Sequence, residues 1–342
     1  MQRPVWSLPL SSGVISKLNR RGFQCTADLE HLSADQLITE TGVTEQEASE
    51  VLELVNPQRC PVSITALELL HREAELRPIV TFCSELDQAL GGGIALGKTT
   101  EVCGVPGIGK TQLCLQLAVD VQIPECFGGL GAQCLFIDTE GTFFIQRFRQ
   151  IAAAVVRHCS LITENQEQQE AMKTFTVENI LSNLFVVCCD DSMELLSQIS
   201  NMPAFLSDHP KVRLIIIDSI AFPFRLHTED PPLRTRILLS SAHQLLALAT
   251  HNNAAVVMTN QMTTRVLAKG SRLVPALGES WGHAATVRIL LQWTDFKRAA
   301  TLLKSPSHMN ATVRYQINTD GFRDLGEQRK RARLETDEQK AD

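Results

Sequence analysis

The residue pattern with the clearest chemistry is an eight-residue stretch, GVPGIGKT, at positions 104–111. It fits Gly-x-x-x-x-Gly-Lys-Thr, in which glycine lets the backbone curl so that successive N–H groups face phosphate oxygens. Lys110 can bring a mobile positive charge to the β- and γ-phosphates, and the Thr111 hydroxyl is a hard oxygen ligand for Mg²⁺. The stretch therefore predicts a nucleoside triphosphate site.

The residues on either side of this stretch support the same interpretation. Thr99–Cys103 is a short β-forming run, and Gln112–Val121 carries apolar residues at a helical spacing. A helix that starts at the loop would direct its positive end at the phosphates. The alternative is a glycine-rich turn with an ordinary surface lysine. Such a turn requires neither a strand before it nor a helix after it, so the flanking residues favour the nucleotide site.

Three further side chains follow apolar β-type runs, and the carboxyl ends of parallel strands would bring them to one edge of a sheet. Asp218 could hold a Mg²⁺-bound water opposite Thr111, or could instead cap a following helix. Glu140 could polarise the attacking water, and Gln261 could sense the γ-phosphate. One glutamine at a strand end indicates little, but three such side chains around one phosphate loop favour a functional site.

Composition limits the remaining options. The 342 residues are 44% hydrophobic and 20% charged, which is enough for one large domain plus a small one. No apolar run reaches the ~18 residues of a membrane span, and the N-terminus has no apolar core of signal-peptide length. The ten cysteines include no C-x-x-C pair, which predicts reduced core residues in a cytosolic or nuclear protein. The net charge of −6 argues against a general polyanion binder, although a local basic loop could still bind nucleic acid.

The chain divides into four predicted regions. Residues 1–55 have the outline of a helix-hairpin-helix, which could offer backbone N–H groups to a DNA phosphate or serve as a protein-docking cap. Residues 56–78 read as a proline-containing linker followed by an amphipathic helix. Residues 79–322 alternate β-type and helical runs, which predicts an α/β fold with a mainly parallel sheet between helices. Residues 323–342 are charged and predict a disordered tail.

Six sequence motifs resemble those of a known protein family. They are LGGG (90–93), GVPGIGKT (104–111), FIDTEGTF (136–143), LIIIDS (214–219), VVMTNQMTT (256–264) and GESWGHAA (278–285). In order and spacing they resemble the RecA/RadA-type recombinases, over roughly residues 1–323. Two stretches, at 120–129 and 273–286, are similar to one paralogue branch of the eukaryotic strand-exchange recombinases. The resemblance implies a RecA-like P-loop ATPase core that binds ATP and Mg²⁺, with a small all-α N-terminal domain.

The functional positions of that family carry over one by one. The resemblance assigns nucleotide binding to the phosphate loop and its flank, namely Gly104, Val105, Pro106, Gly107, Ile108, Gly109, Lys110, Thr111 and Gln112. It assigns Arg147 to the adenine ring, which a planar guanidinium suits. Thr111 and Asp218 match the metal positions, whereas Glu140, Lys110 and Gln261 match the catalytic positions. In the family, the residue at the position of Gln261 couples nucleotide state to a DNA-binding loop.

Two loops that bind DNA in the family differ in this sequence. The first, Leu226–Pro232, has acids and prolines where the family has glycine and arginine, so we expect it to contribute little. The second, Met262–Leu277, keeps Arg265, Lys269 and Arg272 among small residues. These three cations predict the contacts with single-stranded or branched DNA, and no aromatic residue in the loop could stack a base.

The linker departs from the family in its self-assembly motif. The run Ser63-Ile64-Thr65-Ala66 stands where the family has Phe-x-x-Ala, and loss of the phenylalanine removes most of the area that such an interface buries. We therefore expect other recombinase-paralogue subunits as partners in a heteromeric complex, no membrane partner and no long homofilament. The predicted function is a slow DNA-stimulated ATPase subunit in homologous-recombination repair of double-strand breaks and crosslinks. The alternative is a non-catalytic adaptor whose ATP site only stabilises assembly.

Two further basic features carry predictions. The cluster Arg329, Lys330, Arg331 and Arg333 predicts a nuclear import signal, and hence a nuclear protein that is also cytoplasmic; a solubilising tail is the alternative. Lys304 falls where subunits of the family meet over ATP, so it is a candidate for contact with the γ-phosphate held by a neighbour. The alternative for Lys304 is a solvated lysine at a strand end.

Overall fold

The computed structural model describes residues 4–8, 10–29, 32–55, 63–226, 231–267 and 270–325. The chain forms two compact units, Met1–Arg72 and Glu73–Asp342. Among the described residues, every helix is too short or too polar to traverse a lipid bilayer.

The described residues of the first unit include the helices α1 (Ser12–Arg20), α2 (Ala34–Thr41) and α3 (Glu45–Val55). Helix α2 ends at Gly42, whose φ of 68° is a left-handed conformation that glycine adopts without a Cβ penalty. Helix α3 begins with a reciprocal cap, because the Thr44 N–H donates to Glu47 Oε2 at 2.9 Å and the Glu47 N–H donates to Thr44 Oγ1 at 3.2 Å. The two predicted helices around a glycine turn are therefore confirmed.

The linker helix of the sequence prediction is α4 (Ala66–Glu75). Three of its leucines, Leu67, Leu69 and Leu70, lie exposed. Residues 56–62, which carry the two prolines of the predicted linker, lie outside the described residues.

The second unit is built on a nine-stranded sheet and a separate two-stranded hairpin. The sheet strands are β1 (Thr99–Gly104), β2 (Gln133–Asp138), β3 (Leu184–Cys188), β4 (Val212–Asp218), β5 (Ala255–Asn260), β8 (Val287–Thr294), β9 (Lys297–Lys304), β10 (Thr312–Asn318) and β11 (Gly321–Asp324); the hairpin strands are β6 (Met262–Leu267) and β7 (Gly270–Pro275). The sheet order is β11-β10-β9-β8-β1-β5-β4-β2-β3. Strands β8, β1, β5, β4, β2 and β3 run parallel, and β9 to β11 continue the sheet antiparallel. The predicted mainly parallel sheet is confirmed.

The helices of the second unit connect these strands and cover both faces of the sheet. They are α5 (Ser84–Leu90), α6 (Lys110–Asp120), α7 (Ile145–Leu161), α8 (Gln166–Thr174), α9 (Val177–Ser182), α10 (Ser192–Asp208), α11 (Phe222–Leu226), α12 (Pro231–Asn252) and α13 (Gly278–Gly282). Strand β4 shows the two layers directly: Leu214 and Ile216 pack on the side of α6 and α7, whereas Ile215 and Ile217 pack on the side of α10 and α12. Successive side chains of a strand point to opposite faces, so an unbroken apolar run indicates a strand buried on both sides.

The end of the core lies further along the chain than predicted. Arg323 and Asp324, assigned to a disordered tail from the sequence, belong to strand β11, which pairs antiparallel with β10. A turn at Gly321, with a φ of 123°, makes this pairing possible, and Phe322 is fully buried behind it. The charged sequence concealed a strand because Phe322 is its one apolar side chain.

The described cysteines form no disulfide, but the expectation that all of them are core residues is wrong. Cys188 is exposed, and Cys25 and Cys126 are half-buried. Strand β3 lies at the edge of the sheet and is only partly covered, which leaves Cys188 open to solvent. Burial raises the pKa of the Cys83 thiol to about 12, so this buried cysteine stays protonated and unreactive.

Candidate nucleotide-binding site

The phosphate loop joins β1 to α6, and its glycines are required by its geometry. Gly107 and Gly109 have φ angles of 75° and 117°, which other residues rarely adopt. A Cβ on Gly109 would stand 2.2 Å from Ile317 Cδ1, and one on Gly104 would stand 2.8 Å from the Leu291 carbonyl oxygen. Gly109 is also the N-cap of α6, so the first free N–H groups of that helix face the loop.

The Lys110 ammonium lies folded over the loop that carries it. Its Nζ donates to the Gly104 carbonyl at 2.9 Å and to the Val105 carbonyl at 3.3 Å. Burial lowers the pKa of Lys110, and the nearby carboxylates of Asp218 and Glu140 oppose that shift. Lys110 is thus a partly desolvated cation at the position where a bound nucleotide would present its phosphates.

Thr111 and Asp218 meet as the sequence predicted. Thr111 Oγ1 donates to Asp218 Oδ2 at 2.6 Å, and Thr259 Oγ1 donates to Oδ1 at 2.5 Å. Burial raises the pKa of the Asp218 carboxyl, the Glu140 charge adds to this shift, and the two threonine hydrogen bonds oppose it. A hydroxyl and a buried carboxylate in contact are hard oxygen donors that fit Mg²⁺, which would complete its shell with phosphate oxygens and water. A bound divalent cation would also favour the ionised form of Asp218.

Glu140 and Gln261 are in direct contact, and Ser219, which the sequence prediction missed, binds the same carboxylate oxygen. Ser219 Oγ donates to Glu140 Oε1 at 2.5 Å, and Gln261 Nε2 donates to the same oxygen at 2.7 Å. Both of these hydrogen bonds reach Oε1, so the carboxylate is held through that oxygen, and Oε2 is the atom that could meet a water molecule.

Asp138 shapes the loop that presents Glu140. Its carboxylate accepts hydrogen bonds from three backbone N–H groups, those of Glu140 (3.1 Å), Thr142 (3.2 Å) and Phe143 (2.8 Å). These bonds satisfy the amides of a tight turn at the end of β2 and hold the Glu140 side chain toward the phosphate loop.

These groups line one cavity of about 370 Å³ beside the phosphate loop. Its walls are Pro106, Gly107, Gly109, Lys110, Thr111, Gln112, Glu140, Thr142, Asp218, Gln261, Arg298 and Ile317. A cleft with convergent polar groups and perturbed pKa values is the expected form of a small-molecule site. Three residues that the sequence also assigned to nucleotide binding belong to the loop but do not line the cavity, and they are Gly104, Val105 and Ile108.

Arg147 bridges α7 and the β10–β11 turn. Its guanidinium donates to the carbonyls of Asn318 at 2.6 Å and Thr319 at 2.7 Å, and its Nε donates to Gln112 Oε1 at 2.7 Å. Gln112 lines the cavity, so Arg147 adjoins the site through it. The adenine contact of Arg147 stays a prediction, and the observed contacts give it a structural role as well.

The two predicted DNA loops have different structures. The first loop begins with α11 and resumes with α12, and residues 227–230 lie outside the described residues. The second is the β6–β7 hairpin, in which Arg265 stands directly opposite Arg272. Both arginines are exposed, and Arg265 forms an ion pair with Glu279. Lys269 lies outside the described residues.

The remaining sequence predictions concern Lys304 and the basic tail. Lys304 Nζ donates to the carbonyls of His283 at 3.0 Å and Ala285 at 2.6 Å, in the turn between α13 and β8. The ammonium is therefore engaged within its own chain, and its contact with a neighbouring nucleotide stays a prediction. Arg329, Lys330, Arg331 and Arg333 lie outside the described residues.

The sequence signal for the missed residues differs from one to another. Ser219 directly follows Asp218, and Asp138 and Thr259 each stand two residues before a predicted site residue, so strand-tip neighbours could have been included. Arg298 is different, because strand β9 reaches the cavity only through its pairing with β8 and β10. No local pattern around Arg298 indicates a nucleotide.

Comparison with known proteins gives consistent results. The family model described as Rad51 matches residues 72–325. The chain is 50% identical over 339 residues to "DNA repair protein RAD51 homolog 3" of Cricetulus griseus, covering 95% of this chain and 93% of that protein. It is 42% identical over 266 residues to the protein of the same name from Dictyostelium discoideum, covering 77% of this chain and 70% of that protein.

Proposed function

Because the chain belongs to the Rad51 family, we propose that it is an ATP-binding, DNA-stimulated ATPase subunit that acts in homologous-recombination repair of double-strand breaks and crosslinks. The observation that carries the proposal is the convergence of Lys110, Thr111, Asp218, Glu140 and Gln261 on one cavity. The names of the two relatives, both DNA repair proteins, support the biological setting.

The side chains of the cavity have complementary tasks in hydrolysis. Lys110 exchanges its two loop carbonyls for the β- and γ-phosphate oxygens of ATP. Thr111 and Asp218 would hold Mg²⁺, which would neutralise charge on those phosphates. Glu140 orients the attacking water through Oε2 and accepts its proton, while Ser219 and Gln261 fix Oε1 and with it the direction of the carboxylate.

DNA stimulation has a physical route through Gln261. Its side chain contacts Glu140 at 2.7 Å, and its backbone carbonyl accepts a hydrogen bond from Ala276 N at 2.8 Å, at the base of the β6–β7 hairpin. A movement of the hairpin on binding DNA therefore changes the position of Gln261 against Glu140. Gln261 thereby links the binding of DNA at the hairpin to the activation of the attacking water by Glu140.

The subunit role rests on features of the linker and the first loop. The run Ser63–Ala66 lacks the phenylalanine that anchors self-assembly in the family, and the first loop has acids where strand-exchange members of the family have glycine and arginine. Three exposed leucines on α4 offer apolar area to a different partner. We therefore assign the chain to a heteromeric complex of recombinase paralogues that works in the nucleus and is also present in the cytoplasm.

One observation favours the second candidate, a non-catalytic adaptor that uses ATP only to stabilise assembly. Two donors already occupy Glu140 Oε1, so one oxygen of the carboxylate is engaged within the chain and only the other is left to act on a water molecule. The first candidate predicts slow hydrolysis that depends on Glu140, whereas the second predicts none, so the rate of the Glu140 variant separates them.

The deciding experiment measures ATP binding and hydrolysis by the purified complex, with and without single-stranded DNA. Lys110→Ala should abolish ATP binding, because the phosphates lose their main charged contact. Glu140→Gln should retain ATP and slow hydrolysis by about 10²–10⁴-fold. Lys173→Ala, which removes an exposed lysine paired with Glu170, is the control and should match the wild type. Unchanged ATP binding by Lys110→Ala would refute the nucleotide site, and unchanged hydrolysis by Glu140→Gln would leave only the adaptor.

A further inference from the structure

Arg298 is a cation in the wall of the nucleotide cavity that has no role in the hydrolysis proposed for this site. It lies on β9, directly opposite Trp293 of β8 and Tyr315 of β10. Arg298 forms part of the cavity wall. In the strand order, β9 lies on one side of β1, which leads into the phosphate loop, whereas the strands that precede Gln261 and Glu140 lie on the other side. Arg298 is therefore the second positive side chain in this wall, after Lys110.

The surroundings of Arg298 hold the guanidinium in place without neutralising it. Its central carbon stands 4.7 Å from the centroid of the Trp293 ring, in a cation–π stack. Its Nε is buried and has no hydrogen-bond partner among the described residues. Asp295, the acid of the β8–β9 turn, pairs with Arg314 at 3.5 Å instead.

An unneutralised guanidinium with a buried, unpaired N–H is costly to maintain. A polar group removed from water loses its hydration and regains that energy only through a hydrogen bond, and charged groups lose more than neutral ones. No described carboxylate supplies the missing partner. An anion in the cavity would supply it, and the adjoining loop is one whose backbone is arranged for phosphate.

We propose that Arg298 binds a phosphate group of the nucleotide that the GVPGIGKT loop holds, as a second cation beside Lys110, with Trp293 fixing the plane of its guanidinium. This inference rests on the nucleotide site of the proposed function and adds a binding residue to it. Arginine suits the task because its planar fork can donate two parallel hydrogen bonds to one phosphate, whereas lysine acts as a point charge.

The proposal is tested by ATP affinity in the purified complex, with displacement of a fluorescent ATP analogue as the readout. Arg298→Ala should weaken ATP binding about tenfold to a hundredfold, the range expected for a charge-assisted hydrogen bond. Arg298→Lys should recover part of the loss, and Trp293→Leu should cause a smaller loss because it removes only the stacking surface. Lys297→Ala is the matched control, since this exposed neighbour on β9 carries the same charge outside the cavity wall.

Three outcomes overturn the proposal or separate it from its premise. If Arg298→Ala binds ATP as tightly as Lys297→Ala while Lys110→Ala has lost binding, the inference fails and the nucleotide site stands. If the wild-type complex binds no ATP, the proposed function fails first. If Arg298→Ala changes the ratio of ATP to GTP affinity, Arg298 contacts the base and the phosphate assignment is wrong. The thermal midpoint without nucleotide should be the same for Arg298→Lys and the wild type, so that a loss of affinity is not a loss of fold.

Discussion

Glu101 and Arg288 stand opposite each other on the neighbouring parallel strands β1 and β8, and they form an ion pair inside the sheet. Glu101 is fully buried, and its Oε1 also accepts hydrogen bonds from Trp281 Nε1 at 2.8 Å and Asn260 Nδ2 at 2.6 Å. Asn260 in turn donates to the Ala276 carbonyl at the base of the β6–β7 hairpin at 3.0 Å. The strand that leads into the phosphate loop is thereby joined to the base of the hairpin.

Removal of one partner of this pair should strongly destabilise the second unit. Glu101→Ala leaves the Arg288 guanidinium buried without a counter-charge, and such losses cost about 3–5 kcal/mol in the free energy of unfolding. Urea denaturation followed by circular dichroism measures the change. The exposed pair Arg314–Asp295 is the control, and Asp295→Ala should change the stability by less than ~1 kcal/mol. Equal effects of the two variants would contradict the assignment of Glu101 to a stabilising network.

The hairpin should carry most of the single-strand affinity. Neutralising Arg265, Lys269 and Arg272 together should flatten the log–log salt dependence of DNA binding by about two units, since each phosphate contact on a single strand contributes about 0.7. Fluorescence anisotropy with a labelled oligonucleotide over a salt series measures the slope. Arg314→Ala is the control cation outside the hairpin. An unchanged slope for the triple variant would place DNA binding elsewhere, for example in the first unit.

We expect Glu279 to compete with DNA for Arg265. The hydrogen bond from Arg265 lowers the pKa of the Glu279 carboxyl, so this acid is ionised at neutral pH and neutralises one of the two opposed arginines. Glu279→Gln should raise single-strand affinity by a few-fold and steepen the salt dependence, because Arg265 is released to a phosphate. The same anisotropy series measures both effects. Weaker binding by Glu279→Gln would mean that the pair organises the hairpin for DNA instead of screening it.

Gln261 should affect the response to DNA more than the binding of ATP. Gln261→Ala removes the contact with Glu140 but leaves the Lys110 and Thr111 contacts with the phosphates intact. We expect an ATP Kd close to that of the wild type and a loss of the stimulation by single-stranded DNA. Steady-state hydrolysis with and without DNA provides the measurement. Ser219→Ala is the comparison, and it should lower basal and stimulated rates by the same factor because the hydrogen bonds of Ser219 run to Thr139, Glu140 and Phe222 in the described part of the chain.

Asp87 should contribute a distinct pH dependence to stability. Burial raises the pKa of its carboxyl to about 6, against opposing hydrogen bonds from Thr81. The native state therefore holds a proton that the unfolded chain, with an ordinary aspartate pKa of 3.9, has released. This contribution is present below pH ~4 and is lost as the pH rises toward 6. Between these values, Asp87→Asn should gain stability relative to the wild type as pH increases, and parallel urea midpoints across the range would contradict the assignment.

The sequence predicted most of the nucleotide site because its signals are local. A glycine loop between a strand and a helix, and polar residues at three strand tips, were sufficient to place Lys110, Thr111, Asp218, Glu140 and Gln261 around one cavity. The order of apolar runs likewise predicted the parallel half of the sheet.

The parts that sequence reasoning missed depend on long-range pairing. Arg298 reaches the cavity through a strand whose place in the sheet is set by β8 and β10, and nothing in its immediate neighbours indicates this. Glu101 is a carboxylate inside an otherwise uncharged strand, and nothing near it in the sequence indicates that Arg288 stands opposite it. The β6–β7 hairpin was missed for the same reason. Its sequence predicts a basic loop, but it does not show that Arg265 and Arg272 stand opposite each other on paired strands.

Strand β11 makes the far end of the chain part of the nucleotide site. Gln116, in the helix that begins at the phosphate loop, accepts hydrogen bonds from Phe322 N at 3.2 Å and from an Arg323 Nη at 2.7 Å. Arg147 donates a hydrogen bond to the Asn318 carbonyl at the turn before this strand. Ile317 of β10 lines the cavity. A truncation before Gly321 would thus remove a support of the candidate ATP cavity, so a premature stop codon before this strand should weaken ATP binding as well as shorten the chain.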